Sequence, residues 1–385
     1  MALQGDILSP LKQESLLLKQ QKNELDANFL RDSWLSPVVV QGGWQQSESR
    51  LSTAQSERES LSATVSISQD IFRSGGILQA RRYAQESRLA GRGALEKERR
   101  GLIQEAIATL YAVRKLRWQI QKQERLVENA QIDIARKREQ YEKGVLDSSF
   151  LDNALLDYSA KSAALLELKM GLAEREAHFQ TLSDHDPLTY EAPRFELVDP
   201  ARFESANLAL WHQERLTGQQ NAYRRMIAAK YLPRVALNAS YQHYFSDEVA
   251  PAGSEVERVS AYGVTLSVPL DFNGRRETQS AQIAYRLTRQ TLEESRVRER
   301  TFYAALLKRL AQIDDQIALA RSDVAVYDSL VKQVGDQLKA GQKTRDDLKI
   351  MQNAKAAREL DLKIYDANRQ IELLSLHARL MDDPL

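Results

Sequence analysis

The sequence predicts an α+β membrane protein, written as two copies of one unit of long helices and bilayer-length strands. Three observations predict it. Four short segments alternate apolar and polar residues. Each pair of these segments is followed by a very long helical pattern. The order of the elements then occurs a second time.

The clearest strand runs from Val235 to Ser246. Val235, Leu237, Ala239, Tyr241, His243 and Phe245 fall on one face, and Ala236, Asn238, Ser240, Gln242, Tyr244 and Ser246 on the other. Successive side chains of a strand point to opposite sides. One face is therefore mainly apolar and the other mainly polar. A length of about ten residues matches a transmembrane β-strand with a lipid face and a wet lumen face. The same reading places strands at about 38–47, 61–69 and 261–268. Leu61, Ala63, Val65 and Ile67 alternate with Ser62, Thr64, Ser66 and Ser68. The stretches Glu48–Ser60 and Asp247–Arg258 are polar and charged, and read as outer loops. The competing reading is a pair of soluble hairpins on a core.

The helical signal is as strong. No proline occurs between Gly76 and Lys143, a span of about 100 Å at ~1.5 Å per residue. Ala106, Val113, Ile120, Val127, Ile134 and Tyr141 recur every seventh residue. Leu306, Leu310, Ile313, Ile317, Ala320, Val324, Tyr327, Val331, Val334 and Leu338 alternate spacings of four and three. That is the a/d seam of a coiled coil. Return helices at about 149–181 and 345–379 pack back antiparallel, because the connections at Gly144 and Gly341 are short. Glycine there supplies the positive φ that ends a helix in a tight turn.

The copies lie about 197 to 199 residues apart (34 to 231, 65 to 264, 144 to 341). Trp34-Leu35-Ser36-Pro37-Val38 matches Tyr231-Leu232-Pro233-Arg234-Val235. Thr64-Val65-Ser66-Ile67-Ser68 matches Gly263-Val264-Thr265-Leu266-Ser267. Glu142-Lys143-Gly144 matches Lys339-Ala340-Gly341. The organisation is thus a first repeat (1–183, long helix 76–143), a short connection (184–202) with Pro187, Pro193 and Pro200, and a second repeat (203–385, long helix 275–340).

Bulk composition narrows the function. Of 385 residues, 28% are charged, yet the net charge is +1. No global field points to nucleic acid or to an anionic surface. No stretch reaches the ~18–20 consecutive apolar residues of a transmembrane helix. There is no cysteine, which removes disulfides and thiolate metal sites. Met1 to Pro10 has neither a basic n-region nor an apolar h-region, so export implies a signal already removed. Four strands cannot close a bilayer barrel, and an open edge in lipid leaves backbone groups unpaired. Two copies give eight strands and three give twelve.

These residues resemble a known family. Leu232-Pro233 before a strand, Ser267-Val268-Pro269-Leu270-Asp271-Phe272-Asn273-Gly274 entering a long helix, and Gly341 followed by Thr344, Asp347 and Leu348 look like the TolC-like outer-membrane factors. Gln69-Asp70-Ile71-Phe72-Arg73-Ser74-Gly75 and Gly144 are a weaker first copy. The resemblance implies a homotrimer in the cell outer membrane of a Gram-negative bacterium. Its twelve-stranded β-barrel, four strands per protomer, continues into a periplasmic α-helical barrel, with a thin equatorial belt at 184–201. It implies an exit duct of a tripartite efflux pump or type I secretion system. The partners would be a periplasmic adaptor (membrane fusion) protein, through it an inner-membrane transporter, and outer-membrane lipid. It implies a periplasmic gate at Asp347, Lys343 and Ile350, with Ile350 where relatives carry a second acidic residue. Phe150 stands where some relatives carry an acidic latch partner. The hairpin tips at Gly144, Val145, Leu146, Gly341 and Gln342 would meet the adaptor.

No catalytic constellation is visible. The five histidines (His178, His185, His212, His243, His377) are scattered and none has metal-ligand spacing. No phosphate-binding glycine loop occurs. The expectation is no enzyme, no cofactor and no metal, with a soluble coiled-coil scaffold or adaptor as the rival class. Cargo (drug, metal or protein) is not written in the residues.

Overall fold

The computed structural model describes residues 5–51, 54–250 and 257–381. A short 3₁₀ turn, Gly5–Ile7, precedes α1 (Pro10–Asp32), β1 (Val39–Leu51) and β2 (Ala54–Phe72). Then come α2 (Gly76–Glu142), α3 (Ser148–Leu182), α4 (Pro200–Ser205) and α5 (Leu208–Lys230). The chain continues through β3 (Arg234–Ala250), β4 (Arg258–Ser267), α6 (Gly274–Lys339) and α7 (Arg345–His377). Among the described residues no helix is long and apolar enough to cross a membrane.

The four strands form one antiparallel sheet in the order β1-β2-β3-β4. The two hairpins are joined through β2 and β3, and the pairing sorts the faces. Val65 lies opposite Val40 and Tyr241, and Leu237 lies opposite Val264. Val235 lies opposite Leu266, and Ala239 opposite Tyr262. Directly opposed residues share a face, so this face is mainly apolar, with Gln69 opposite Leu237, Ser260 opposite Tyr241 and Arg258 opposite His243. On the other face Thr64 meets Gln41 and Gln242, Ser68 meets Asn238, and Asn238 meets Gly263.

Of the outer loops expected at 48–60 and 247–258, the described residues 48–51, 54–60, 247–250 and 258 are strand instead. The ladder continues through Glu48 opposite Glu57, Glu59 opposite Glu248, and Glu57 opposite Ala250. Polar side chains do not end a strand while the backbone groups of both arms still need partners. The arms therefore keep pairing beyond the apolar stretch. Residues 52–53 and 251–256 lie outside the described residues. A register shift between Asp70 and Phe72 sets Ile71 apart from the β3 ladder, as a bulge does where a strand bends.

The chain divides into two compact units that cut across both repeats. One holds the segments up to Leu18, Leu95–Ala209 and from Arg296 onward. The other holds Lys19–Ala94 and Leu210–Ser295, and therefore the sheet.

In the first unit the helices are ordered α3-α2-α7-α6. Arg117 bonds Glu176 across α2 and α3. Lys122 bonds Asp361 at 2.6 Å across α2 and α7. Arg309 bonds Glu372 and Lys355 bonds Asp328 across α6 and α7. The heptad residues Leu306, Leu310 and Ala320 are buried, as the a/d seam predicts.

The connection between the repeats contributes to a core. Phe195, Val198 and Phe203 are buried in one cluster with Ile7, Phe179, Leu182, Leu373, Leu374 and Leu376. Asp199 caps α4 by accepting from Arg202 N, and Pro200 occupies its first turn, where a missing N–H costs nothing. Asn207 pairs with Leu380 in an isolated bridge. Asn207 and Arg379 both donate to buried Glu299, at 3.0 and 2.7 Å.

In the sheet-bearing unit the helices follow the order α1-α2-α5-α6. Asn23 donates to Arg88 O, Tyr83 packs on Tyr223, and Arg224 lies over Tyr285.

Leu374 is wholly buried in the connecting core. Leu374→Ala is expected to destabilise the protein by about 2–5 kcal/mol, the usual cost of a core leucine and its cavity. Urea unfolding followed by helical signal checks it.

Candidate functional site

The two helical tips share one backbone design. After α2, Gly144 adopts φ +69. Its N–H donates to Tyr141 O at 2.9 Å and the N–H of Val145 to Gln140 O at 2.9 Å. After α6, Gly341 adopts φ +70. Its N–H donates to Leu338 O at 3.0 Å and that of Gln342 to Gln337 O at 2.9 Å. Both are Schellman motifs, whose left-handed residue is best supplied by glycine. Three residues on, each return helix starts on its own cap. Asp147 accepts from Ser149 N at 2.9 Å. That backbone donor comes first in holding the Asp147 carboxyl below the ordinary aspartate value.

The tip side chains differ. Val145 is 70% exposed. Leu146 is half-buried, and Gln342 and Lys343 are exposed. Phe150, half exposed at 51%, occupies in α3 the position Asp347 holds in α7.

Asp347 closes a capping box. Its Oδ2 accepts from Thr344 N and Thr344 Oγ1, each at 3.0 Å. Its own N–H donates to Thr344 Oγ1 at 3.2 Å. Two orphan donors of the first turn are thereby satisfied. Its Oδ1 accepts from Arg136 Nη2 of α2 at 2.8 Å. The carboxyl lies below its ordinary value. The Thr344 backbone bond is the main cause; burial opposes it, and the Thr344 hydroxyl and Arg136 reinforce it.

The cation that Asp347 meets is therefore Arg136, which the sequence reading did not single out. Lys343 lies before the cap residue Thr344, outside the helix, and Ile350 is half-buried in the first turns of α7. A signal for Arg136 was present. Paired antiparallel, α2 and α7 set Arg136 against Asp347, Glu128 against Lys349 and Asn353, Lys122 against Asp361, and Lys115 against Asn368. Charge complementarity along that register points to the pair.

The polar face of the sheet is cross-linked. Ser68 Oγ donates to Asn238 Oδ1 at 2.6 Å, and Asn238 Nδ2 to Thr265 Oγ1 at 2.7 Å. Gln242 Nε2 donates to Ser62 Oγ at 3.0 Å. This face presents hydroxyl and amide groups but no reacting pair. On the other face Trp44 Nε1 donates to Glu59 Oε1 at 2.9 Å, where the apolar stretch gives way to charge. Among the described residues no group of three or more His, Asp or Glu is placed to hold a metal ion.

Residues 14–183 match the family model of the outer membrane efflux proteins. Solved structures share the fold over nearly the whole chain. The CmeC outer membrane channel of Campylobacter jejuni is 12% identical, with a TM-score of 0.75, covering 99% of this chain and 86% of its own. A membrane protein from Pseudomonas aeruginosa is 14% identical, with a TM-score of 0.74 and coverages of 96% and 90%. The outer membrane protein VceC of Vibrio cholerae is 13% identical, with a TM-score of 0.71 and coverages of 95% and 92%. No curated protein sequence matches significantly. The resemblance to TolC-like outer-membrane factors drawn from the motifs holds.

A depressed carboxyl contributes stability above its unfolded pKa and loses it as pH falls through the folded value. Asp347→Asn is therefore expected to be less stable than the parent at pH 7. That gap should shrink in the acid range below about pH 4, as the parent's carboxyl takes up its proton. Urea unfolding of both proteins at pH 7 and pH 3 tests this. An unchanged gap would mean that the charge of Asp347 does nothing for the cap.

Proposed function

From the efflux-protein signature of residues 14–183 and the TolC-like fold of the whole chain, we propose that this protein is the outer-membrane exit duct of a tripartite efflux pump. It is a passive conduit, not an enzyme. It resides in the outer membrane and extends into the periplasm. Three copies close a twelve-stranded barrel, and their helices continue it as a tunnel. The family signature favours efflux over type I protein secretion.

The observation that carries the reading is the sheet. It has an apolar face, a hydroxyl- and amide-lined face, and two unpaired edges at β1 and β4. A bilayer barrel needs the first two and removes the third by closure. A soluble coiled-coil scaffold needs none of them. The outer helices support the same closure. Leu156, Leu166 and Met170 of α3, and Leu319 and Val326 of α6, stand exposed on the unpartnered sides of their helices.

The tips bearing Gly144, Val145, Leu146, Gly341 and Gln342 are read as the contact with a periplasmic adaptor, which links the duct to an inner-membrane transporter. The gate is read at the same end. Each Asp347 brings its own cation, Arg136, so the constriction is a ring of ion pairs with Ile350 behind it. Lys343 stands outside the pair as a solvated charge. Opening requires α7 to part from α2 at this point.

Mass measurement of the detergent-solubilised protein is expected to give three chains, and planar bilayers a conducting channel altered by Asp347→Ala. A stable monomer that does not conduct would sink the duct. The two faces give a sharper test. A charge facing lipid at the midplane costs about 2–4 kcal/mol and a lumen-facing one far less. Leu266→Arg is therefore expected to lower the yield of assembled protein well below that of Thr265→Arg. Equal yields would overturn the assignment of faces.

A further inference from the structure

A cavity of about 300 Å³ opens in the sheet-bearing unit, where the strands meet the helices. Its lining includes Trp34, Arg73, Met226, Lys230, Leu232 and Arg234. We propose that this cavity binds the phosphate head of an anionic glycerophospholipid. The proposal rests on the outer-membrane reading above for the depth at which the cavity lies.

Charge is the first argument. The lining carries three cations and no carboxylate. Arg73 and Lys230 are each paired with a carboxylate outside the lining, Lys230 with both Glu277 oxygens and over the Tyr231 ring, while Arg234 is held by a hydroxyl. Arg73 Nε meets Asp70 at 2.5 Å, Arg234 Nε donates to Ser267 Oγ at 2.8 Å, and Lys230 Nζ meets Glu277 at 3.0 Å. Both arginines are held through Nε, so these anchors leave their terminal nitrogens uncommitted. The Arg73 side chain is 41% exposed and that of Lys230 57%. Guanidinium forks match phosphate oxygens in geometry as well as charge.

The apolar part of the lining is the second argument. Trp34, Met226 and Leu232 would serve a free inorganic anion poorly. They suit the glycerol and first methylenes of an amphiphile. Position is the third. Arg234 opens β3, and Arg73 follows Phe72, the last residue of β2. Beside them Ile71 and Phe72 are each 52% exposed. An apolar and aromatic collar with a basic rim at the strand ends is the composition of a membrane–water boundary. Lipid phosphates lie at that level.

Native mass spectrometry of the full chain in a neutral detergent tests the proposal. The probes are short-chain phosphatidylglycerol, short-chain phosphatidylcholine and inorganic phosphate. The expected result is retention of about one phosphatidylglycerol per chain, roughly tenfold or more above phosphatidylcholine and poorly displaced by phosphate. The double variant Arg73→Gln/Arg234→Gln should lose that retention. Leu232→Glu is a second variant at a residue already 47% exposed, so the fold should tolerate it, and it should lose retention by repulsion. Equal retention by the parent and Leu232→Glu overturns the site. Displacement by phosphate as readily as by lipid overturns the lipid and leaves an anion site. Insertion into vesicles is measured separately. A chain that inserts but retains no lipid refutes the pocket alone, and one that retains lipid but never inserts refutes the duct alone.

Discussion

A backbone row that has no partner is the constraint from which the rest follows. Inside the sheet, β2 and β3 each have two neighbours, whereas β1 and β4 have one. Water can satisfy the free row of a soluble edge strand. Hydrocarbon cannot, and each unpaired N–H or C=O there costs several kcal/mol. A four-stranded sheet with an apolar face can therefore enter a bilayer only as part of a closed ring. The helical unit faces a milder form of the same problem. Its layer ends in α3 on one side and α6 on the other, and both present leucines outward. One event, association of copies edge to edge, answers both.

Duplication explains why the tips share a backbone and differ in chemistry. The Schellman glycines and the three-residue turn are the same in both copies, because the turn must reverse two long helices at no steric cost. The caps then diverge. Asp147 caps α3 alone, while Thr344 and Asp347 cap α7 together. In the second copy the third helical residue is a carboxylate that reaches back to α2. In the first copy it is Phe150, which reaches nothing comparable and stays half exposed. One position of the repeat thus carries an ion-paired carboxylate in one copy and a half-exposed aromatic ring in the other.

The parts legible in the sequence are those set by local periods. Alternation reads the two faces as far as Tyr244, and the pairing of Leu237 with Val264 agrees; beyond it a register shift passes over Phe245 and sets Ser246 opposite Leu61, on the face read as apolar. The heptads fixed the buried seam at Leu306 and Leu310. The strand extensions past Glu48 and into Ala250 were not legible. They depend on an opposite backbone, not on their own side chains. Arg136 lies 211 residues from Asp347, and its mark is visible only once α2 and α7 are set in antiparallel register, not in its own neighbourhood. The connecting core is not legible for a related reason. Its prolines mark a short connection, whereas burial of Phe195, Val198 and Phe203 depends on residues brought in from both ends of the chain.

The two strand-to-helix junctions show how closure between copies can work. The first-repeat junction sits on the second-repeat corner within one chain. Ser74 Oγ donates to Pro233 O at 2.6 Å, and a Cβ placed on Gly76 would come within 3.2 Å of Ala229. The second-repeat junction turns without the positive-φ pair Ser74-Gly75 of the first. Asp271 accepts from Asn273 N at 2.8 Å and α6 begins at Gly274. Its helix start packs on the Tyr231 ring, which a Cβ on Gly274 would approach to 2.8 Å, yet Leu270 and Phe272 before it are 92% and 102% exposed. A match for this exposed segment is present elsewhere in the sequence. Trp34-Leu35-Ser36-Pro37-Val38 is the first-repeat copy of Tyr231–Val235, and its Leu35 and Val38 are themselves exposed. In the trimer proposed above, the neighbour's Trp34–Val38 would lie beside the end of β4 as Val235 lies beside Phe72 at the end of β2. The contact that joins two repeats in one chain then recurs between chains, and three chains make six such junctions around a closed sheet.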